Sequence, residues 1–282
     1  MNVNGCFVWK SDVTPRKNHF LLPRSIRAVC IGRSGQGKTT LLTFLLLNPN
    51  TLDYTDLYVY GKSLNQPEYK VLQAGFEKGL SKDQVRILFE QQDKVKEEGG
   101  LEKVLKDFHG DCPHSIKPTF SSDISSICDP SLLDETKKNL VIFDDLLLSP
   151  QNNIEKYYCR ARHNNCDSIY LSQSYFRLPR TTIRENSNFY MIFPQDSKNL
   201  SHIYRDLCAT DGIDYKVFEK FCTTVWSKKY NFVTIDLSKP CNLGKYRQNL
   251  GDYWIPKYDR LYAHIQESIT HSDSDSDTSL VT

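Results

Sequence analysis

The chain has 282 residues, of which 39% are apolar and 25% charged, so it can bury one large domain or two small ones and is not disordered throughout. Its net charge of +2 identifies no partner, but the charges are unevenly distributed. Residues 1–50 carry seven Lys or Arg and one acid, and residues 156–184 carry six and one. The last seventeen residues carry acids and no Lys or Arg, so the total can hide a basic face.

The composition predicts an intracellular protein. The longest apolar stretch, residues 41–47, is far shorter than the roughly 20 residues that a membrane-spanning helix needs. Lys10, Asp12, Arg16 and Lys17 interrupt the region where a signal peptide has its apolar core. The nine cysteines are odd in number and form no C-x-x-C pair, which indicates reduced thiols.

Short apolar runs alternate with helical segments along the chain. Strands are predicted at residues 27–31, 57–60, 140–143, 169–171, 189–193 and 232–235, the last of these being the final strand. Helices are predicted at residues 38–47, 67–76, 82–98, 198–207 and 215–223. Nearly continuous apolar strands between polar turns are typical of parallel strands buried on both faces. The alternation predicts an α/β fold with a mostly parallel central sheet flanked by helices.

The loop after the first strand matches a phosphate-binding motif, G-x-x-x-x-G-K-[ST]. Such a loop surrounds phosphate oxygens with backbone amides, and the helix N-terminus adds a partial positive charge. Lys38 is predicted to reach the β- and γ-phosphates of ATP, and Thr39 to ligate Mg²⁺. A strand precedes the motif and a helix follows it, so we predict a nucleotide site here. Its predicted residues are Gly32, Arg33, Ser34, Gly35, Gln36, Gly37, Lys38, Thr39 and Thr40.

Polar side chains also follow two later strands. Asp144 and Asp145 come after the apolar run 140–143. Asp144 is predicted to hold Mg²⁺, directly or through water, and Asp145 to polarise the attacking water. Gln173 follows the strand at 169–171, and a strand placed between the other two would aim this amide at the γ-phosphate. The alternative is that these three are solvated strand ends.

Arginines lie close to the predicted 169–171 strand, where a subunit interface would fall. In ring ATPases an arginine of the neighbouring subunit stabilises the charge that develops on the transferred phosphate. Among Arg160, Arg162 and Arg184, we favour Arg162 for this role and Arg184 next. The alternatives are a plain surface charge or a contact to DNA phosphate. Tyr175 and Phe176 nearby either contact DNA or pack in the core or an interface.

Absent motifs narrow the class of phosphate-loop protein. The sequence has no N-K-x-D guanine-reading motif and no LSGGQ signature, which argues against GTPases and ABC ATPases. One phosphate loop and one acid pair indicate a single motor core. We therefore predict a P-loop NTPase of the additional-strand (ASCE, RecA-like) type. In this type, the strand that precedes Gln173 lies between the phosphate-loop strand and the acid-bearing strand.

Three blocks of the sequence resemble the genome-packaging ATPases of large eukaryotic DNA viruses: IGRSGQGKTTLL (31–42), VIFDDL (141–146) and RHNNCDSIYLSQSYFRLPRTTIRENSNFYMIF (162–193). The likeness is to the poxvirus-type ATPase and its relatives in Polinton/Maverick elements and adintoviruses, within the FtsK/HerA class of DNA pumps. The residues that match the motifs of this family are Lys38, Thr39, Asp144, Asp145 and Gln173. Asp145 stands where the wider class often has Glu.

The resemblance implies an ATPase that forms a homo-oligomeric ring and pulls double-stranded DNA, without reading its sequence, into a preformed capsid. It implies a capsid or portal protein as partner and a place of action in the host cytoplasm or nucleus, at the site of virion assembly. Two alternatives stay open. One is a related DNA motor or helicase outside packaging, and the other is a domesticated remnant that binds nucleotide or DNA without hydrolysis.

We predict three segments: a lead-in at 1–26, a P-loop ATPase domain at 27–265 and a disordered Ser/Asp-rich tail at 266–282. Within the domain, residues 77–136 match the family weakly. Nothing resembling a nuclease follows residue 265, so we expect no DNA cutting.

Overall fold

The computed structural model describes residues 17–91, 100–110, 112, 115–258 and 260–262. Within these ranges ten strands form one sheet. The strands are β1 (Arg27–Ile31), β2 (Asp56–Gly61), β3 (Lys117–Ser121), β4 (Asn139–Asp144), β5 (Cys166–Ser172), β6 (Phe189–Ile192), β7 (Val233–Asp236), β8 (Tyr246–Gln248), β9 (Asp252–Ile255) and β10 (Arg260–Tyr262).

Helices cover both faces of this sheet. They are α1 (Lys38–Leu47), α2 (Pro67–Glu77), α3 (Lys82–Glu90), α4 (Gly100–Leu105), α5 (Asn152–Arg160), α6 (Ser197–Leu207) and α7 (Tyr215–Trp226). Side-chain caps determine where several of them begin: Ser81 forms a capping box with Gln84, and Asp196 and Asp214 accept hydrogen bonds from the first turns of α6 and α7. Every helix in the described ranges falls short of the length and apolarity that crossing a bilayer requires.

The strand order confirms the predicted fold class. The sheet runs β10-β9-β8-β7-β6-β1-β5-β4-β2-β3, and the six strands from β6 to β3 are parallel. β5 lies between β1 and β4, as the additional-strand P-loop fold requires. The carboxyl ends of β1, β4 and β5 therefore meet at one edge of the sheet, which is where ligands bind in open parallel sheets.

The core has two layers because the central strands are buried on both faces. Along β1, Val29 and Ile31 pack into one layer while Ala28 and Cys30 pack into the other. The first layer is completed by α5, α6 and α7, and the second by α1, α2 and α3. This is why these strands are continuous apolar runs in the sequence rather than alternating ones.

Two parts of the sheet were not predicted. β3 was missed because its residues are polar and include Pro118, which an edge strand tolerates. The prediction that residues 232–235 form the final strand was wrong: β8, β9 and β10 follow and extend the sheet by antiparallel pairing. These strands have only three or four residues each, too few for a periodic pattern. Of the helix predicted at 82–98, α3 covers Lys82–Glu90, and residues 92–99 lie outside the described ranges.

Buried charges attach residues 17–26 to the sheet. Asp167 of β5 accepts a hydrogen bond of 2.8 Å from the backbone amide of Ile26. Arg247 of β8 donates to the carbonyl of Leu21 at 2.5 Å and forms a fully buried ion pair with Asp236 of β7. Residues 1–16 and the predicted disordered tail lie outside the described ranges, and the three predicted segment boundaries stay predictions.

Candidate nucleotide site

The phosphate loop joins β1 to α1, and two of its glycines are required by geometry. A Cβ on Gly32 would lie 2.8 Å from Cβ of Phe193, a distance that real side chains do not reach. Gly37, which precedes α1, has φ of 100°, a conformation that glycine adopts readily and other residues rarely do. The loop also aligns with β5, because the amide of Gly32 donates to the carbonyl of Ser172 at 3.0 Å.

Lys38 closes the loop from inside. Its ammonium group donates hydrogen bonds to the carbonyls of Gly32 at 2.6 Å and Arg33 at 3.0 Å. Gln36 secures the other side: its side chain accepts from the amide of Arg33 at 2.6 Å and donates to the carbonyl of Pro194 at 3.3 Å. Phosphate oxygens are stronger acceptors than carbonyls for an ammonium group, so the Lys38 side chain can exchange these partners for a bound phosphate.

Asp144 ends β4 and is buried beneath the cavity wall. Tyr69 of α2 donates a hydrogen bond of 2.7 Å from its hydroxyl to Oδ2 of this carboxylate. Burial raises the pKa of Asp144, while the bond from Tyr69 and the charge of Lys38 act to lower it. Burial, together with the neighbouring carboxylate, also raises the pKa of the Tyr69 hydroxyl, which therefore stays protonated and remains a donor. Sequence analysis missed Tyr69, because a tyrosine on an amphipathic helix resembles any core residue.

Asp145 and Gln173 are brought together as predicted from their strand ends. Nε2 of Gln173 donates to Oδ1 of Asp145 at 3.0 Å. Asp145 has φ of 54°, in the left-handed region that non-glycine residues seldom occupy. Its amide donates to the carbonyl of Leu171 in β5 at 3.2 Å, which holds this turn in place. Strained backbone of this kind occurs mainly where function requires a side chain in one position.

A cavity of about 740 Å³ opens between the loop and these strand ends. Its volume is within the range of about 300–1,000 Å³ typical of small-molecule sites. Polar residues line most of it: Ser34, Gly35, Gly37, Lys38, Thr39, Thr40, Ser63, Gln66, Glu68, Asp144, Asp145 and Gln173. The apolar lining consists of Leu41, Phe44, Leu171, Phe193, Tyr230 and Phe232. Of the predicted nucleotide-site residues, Gly32, Arg33 and Gln36 shape the loop without lining the cavity.

The two candidate arginines lie outside this cavity. Arg162 is exposed on the turn Ala161–Asn164 that leads into β5, at the opposite edge of the sheet from the phosphate loop. Arg184 lies in the π-helix Arg180–Arg184 and is only 9% exposed. Its Nη1 forms an ion pair of 2.7 Å with Asp206. Arg184 is therefore held within its own chain, whereas Arg162 is open to the surface.

Of the two aromatic residues that follow Gln173, one is in the core and one on the surface. Tyr175 is fully buried, and its hydroxyl donates to Asp206 at 3.0 Å. The alternative of core packing therefore holds for Tyr175. Phe176 is 53% exposed and its ring lies 4.7 Å from that of His202.

Comparison with other proteins finds similarity only among solved structures. No family model and no curated protein matches the chain. The genome packaging NTPase B204 from Sulfolobus turreted icosahedral virus 2, in complex with AMPPCP, is 13% identical, with 81% of this chain and 98% of that chain covered and a TM-score of 0.46. VirB4 of Thermoanaerobacter pseudethanolicus is 10% identical, with 77% and 88% covered and a TM-score of 0.41. The large terminase from a thermophilic bacteriophage is 13% identical, with 64% and 44% covered and a TM-score of 0.34.

The fold assignment follows from this chain alone. The strand order, the glycine-rich loop between β1 and α1, and the acids at the end of β4 together define a P-loop NTPase fold of the additional-strand type.

Proposed function

We propose that this chain binds Mg²⁺·ATP at the phosphate loop, hydrolyses it and uses the energy to move double-stranded DNA. The observation that carries the proposal is the hydrogen bond between Gln173 and Asp145. These side chains come from the ends of two adjacent strands and line the same cavity as the phosphate loop. A γ-phosphate held by Lys38 would therefore face a carboxylate and an amide that can orient a water molecule.

The donor set suits a magnesium ion. The Thr39 hydroxyl and the Asp144 carboxylate both line the cavity, and Mg²⁺ prefers such oxygen ligands. Among the described residues, Tyr69 is the one hydrogen-bond partner of the Asp144 carboxylate, and it occupies Oδ2. Oδ1 is then free to face the ion or one of its waters. When bound, the ion would bridge phosphate oxygens and neutralise part of their charge.

The chain's own groups account for the hydrolytic step. Oδ1 of Asp145 accepts from Gln173, and Oδ2 has no hydrogen-bond partner among the described residues. Oδ2 can therefore accept a hydrogen bond from the attacking water. The water oxygen bonds to the γ-phosphorus as the bond to the β–γ bridging oxygen breaks, and Asp145 takes the proton. Lys38 stabilises the charge on the departing diphosphate.

A ring of identical subunits would supply the missing cation. An arginine that acts on a neighbour's nucleotide has to be exposed on its own subunit, and Arg162 meets this requirement. Arg184 pairs with Asp206 and is buried, so we assign it a structural role instead. In this arrangement each site is complete only when a second subunit closes over it.

Double-stranded DNA is the proposed substrate of the motor. Arg160 and Arg177 are exposed and make no ion pair among the described residues, so they are available for phosphates of either strand. Phosphate contacts carry no sequence information, which suits a motor that must move any DNA. The sequence blocks 31–42, 141–146 and 162–193 support packaging of viral or virus-derived element DNA, with a capsid or portal protein as partner, in the host cytoplasm or nucleus.

Phosphate release from Mg²⁺·ATP by the purified protein tests the enzymatic part of this proposal. We expect Lys38→Ala to lower the rate at least 100-fold, while Lys70→Ala, on the exposed side of α2, leaves it unchanged. A wild-type rate equal to that of Lys38→Ala would overturn the proposal. If the wild type then still bound ATP, the non-hydrolysing remnant would be the better description.

A further inference from the structure

An exposed aromatic ring stands beside the phosphate loop and has no role in the reaction described above. Tyr230, in the loop between α7 and β7, is 57% exposed and lines the cavity. Its Cδ1 would be 3.3 Å from a Cβ on Gly37. Its φ of 67° lies in the left-handed region, which is uncommon for a bulky residue. An exposed ring in a strained backbone at this position is not explained by core packing.

The Tyr230 loop is built to hold this ring in place. The Asn249 side chain accepts from the amide of Phe232 at 3.1 Å and donates to Oδ1 of Asn231 at 3.2 Å. The Phe232 ring packs on that of Phe193, with centroids 5.3 Å apart. These contacts fix the chain on the C-terminal side of Tyr230. The ring is thus a preorganised part of the cavity wall.

The strand order shows which end of a nucleotide Tyr230 would meet. β1 carries the phosphate loop, with β5 and β4 on one side and β6 and β7 on the other. Asp145 and Gln173 lie on the β5–β4 side, where the γ-phosphate is attacked. Phe193 and Tyr230 follow β6 or precede β7 and so lie on the opposite side. Because a nucleoside triphosphate is an extended molecule, its base lies at the end away from the γ-phosphate, on the side of Tyr230.

Resting on the proposed nucleotide site, we propose that Tyr230 is the platform on which the base of the bound nucleoside triphosphate stacks. Aromatic rings stack on any nucleobase, because every base has a π-face. The cavity residues at this end are Phe193, Tyr230 and Phe232, and none has a side-chain group suited to reading the polar edge of a base. The platform therefore favours purine nucleotides by their stacking area and does not separate adenine from guanine.

Calorimetric binding of three ligands tests the platform: Mg²⁺·ATP, Mg²⁺·GTP and magnesium triphosphate, the last having no base. Tyr230→Leu keeps an apolar side chain of similar reach but removes the ring, and Tyr230→Phe keeps the ring and removes only the hydroxyl. We expect Tyr230→Leu to weaken ATP and GTP about 10-fold each and to leave triphosphate unchanged. Tyr230→Phe is expected to bind all three ligands like the wild type.

Three results would overturn the platform. They are an unchanged ATP affinity in Tyr230→Leu, an equal loss for ATP and triphosphate, and a wild-type preference of ATP over GTP of more than about 10-fold. Failure of the nucleotide site itself is distinguishable. In that case neither ATP nor triphosphate would bind the wild type more tightly than Lys38→Ala, whatever residue stands at position 230.

Discussion

The hydroxyl of Tyr69 donates a hydrogen bond of 2.7 Å to Oδ2 of Asp144, and both side chains are buried. The two residues are 75 positions apart in the sequence, on α2 and at the end of β4. A buried carboxylate with one fixed oxygen presents the other in a defined direction. Groups of this kind orient a metal ligand without touching the metal.

Tyr69→Phe is expected to raise the Mg²⁺ concentration needed for half-maximal hydrolysis by about 10-fold or more. The bond from Tyr69 lowers the pKa of Asp144, so its loss raises this pKa further. Because the ionised carboxylate is the form that binds the metal, the acid limb of the pH–rate profile should shift to higher pH. The measurement is phosphate release as a function of Mg²⁺ and pH.

Tyr54→Phe is the matched control for this variant. Its buried hydroxyl also makes one hydrogen bond, to the carbonyl of Leu46 at 2.8 Å, and lies outside the cavity lining. Both variants should lose similar stability, of about 1 kcal/mol, and only Tyr69→Phe should change the magnesium dependence. Equal magnesium dependence in the two variants would show that the Tyr69 bond is merely structural.

Gln173→Ala is expected to lower kcat about 100-fold with little change in the Kd for ATP. The amide holds Asp145 from the side of β5 and makes no contact with the loop that binds the phosphates. Its loss therefore frees the carboxylate without removing a binding group. Single-turnover hydrolysis and equilibrium binding measure the two quantities separately. A parallel fall in affinity and rate would assign Gln173 to binding instead.

Arg162→Ala is expected to keep ATP binding and lose hydrolysis, because the cation serves the neighbouring subunit. Arg160→Ala is the matched control, since this arginine is also exposed and only two positions away. Mixing Arg162→Ala with Lys38→Ala should restore activity that neither variant has alone. Some interfaces of the mixed ring then join an intact phosphate loop to an intact arginine. A mixture no more active than the sum of its parts would contradict an action between subunits.

The buried pair of Arg247 and Asp236 should contribute far more to stability than an exposed pair. Arg247→Met leaves the Asp236 carboxylate without its cation in a site where both side chains are fully buried, a loss of about 3–5 kcal/mol. Arg180→Met breaks an exposed pair with Glu185 and should cost less than about 1 kcal/mol. Guanidinium unfolding of both variants measures this difference. Similar unfolding midpoints would contradict it.

The sequence predicted the central sheet and most of the site because these parts carry local signals. β1, β4 and β5 are buried on both faces and so are nearly continuous apolar runs, each ending in a recognisable polar group. Strand order then brings Asp145 and Gln173 together without further information. The start and end of α1 also agree with the prediction, because the glycine-rich loop and a run of leucines define them.

The rest depends on contacts between distant residues. Tyr69 meets Asp144 only after α2 packs on the sheet, and Tyr230 reaches the phosphate loop only because β7 pairs with β6. The left-handed turn at Asp145 has no glycine to signal it. β3 and the strands after β7 are short and polar, so pairing partners rather than their own residues make them strands.

DNA-dependent phosphate release tests the central claim most directly. The full-length protein is assayed with Mg²⁺·ATP, with and without long double-stranded DNA of unrelated sequences, against Lys38→Ala. We expect DNA to stimulate hydrolysis several-fold, equally for all sequences and less at high salt, because phosphate contacts are screened by added ions. Robust hydrolysis that ignores DNA at every salt concentration would contradict a DNA-translocating motor.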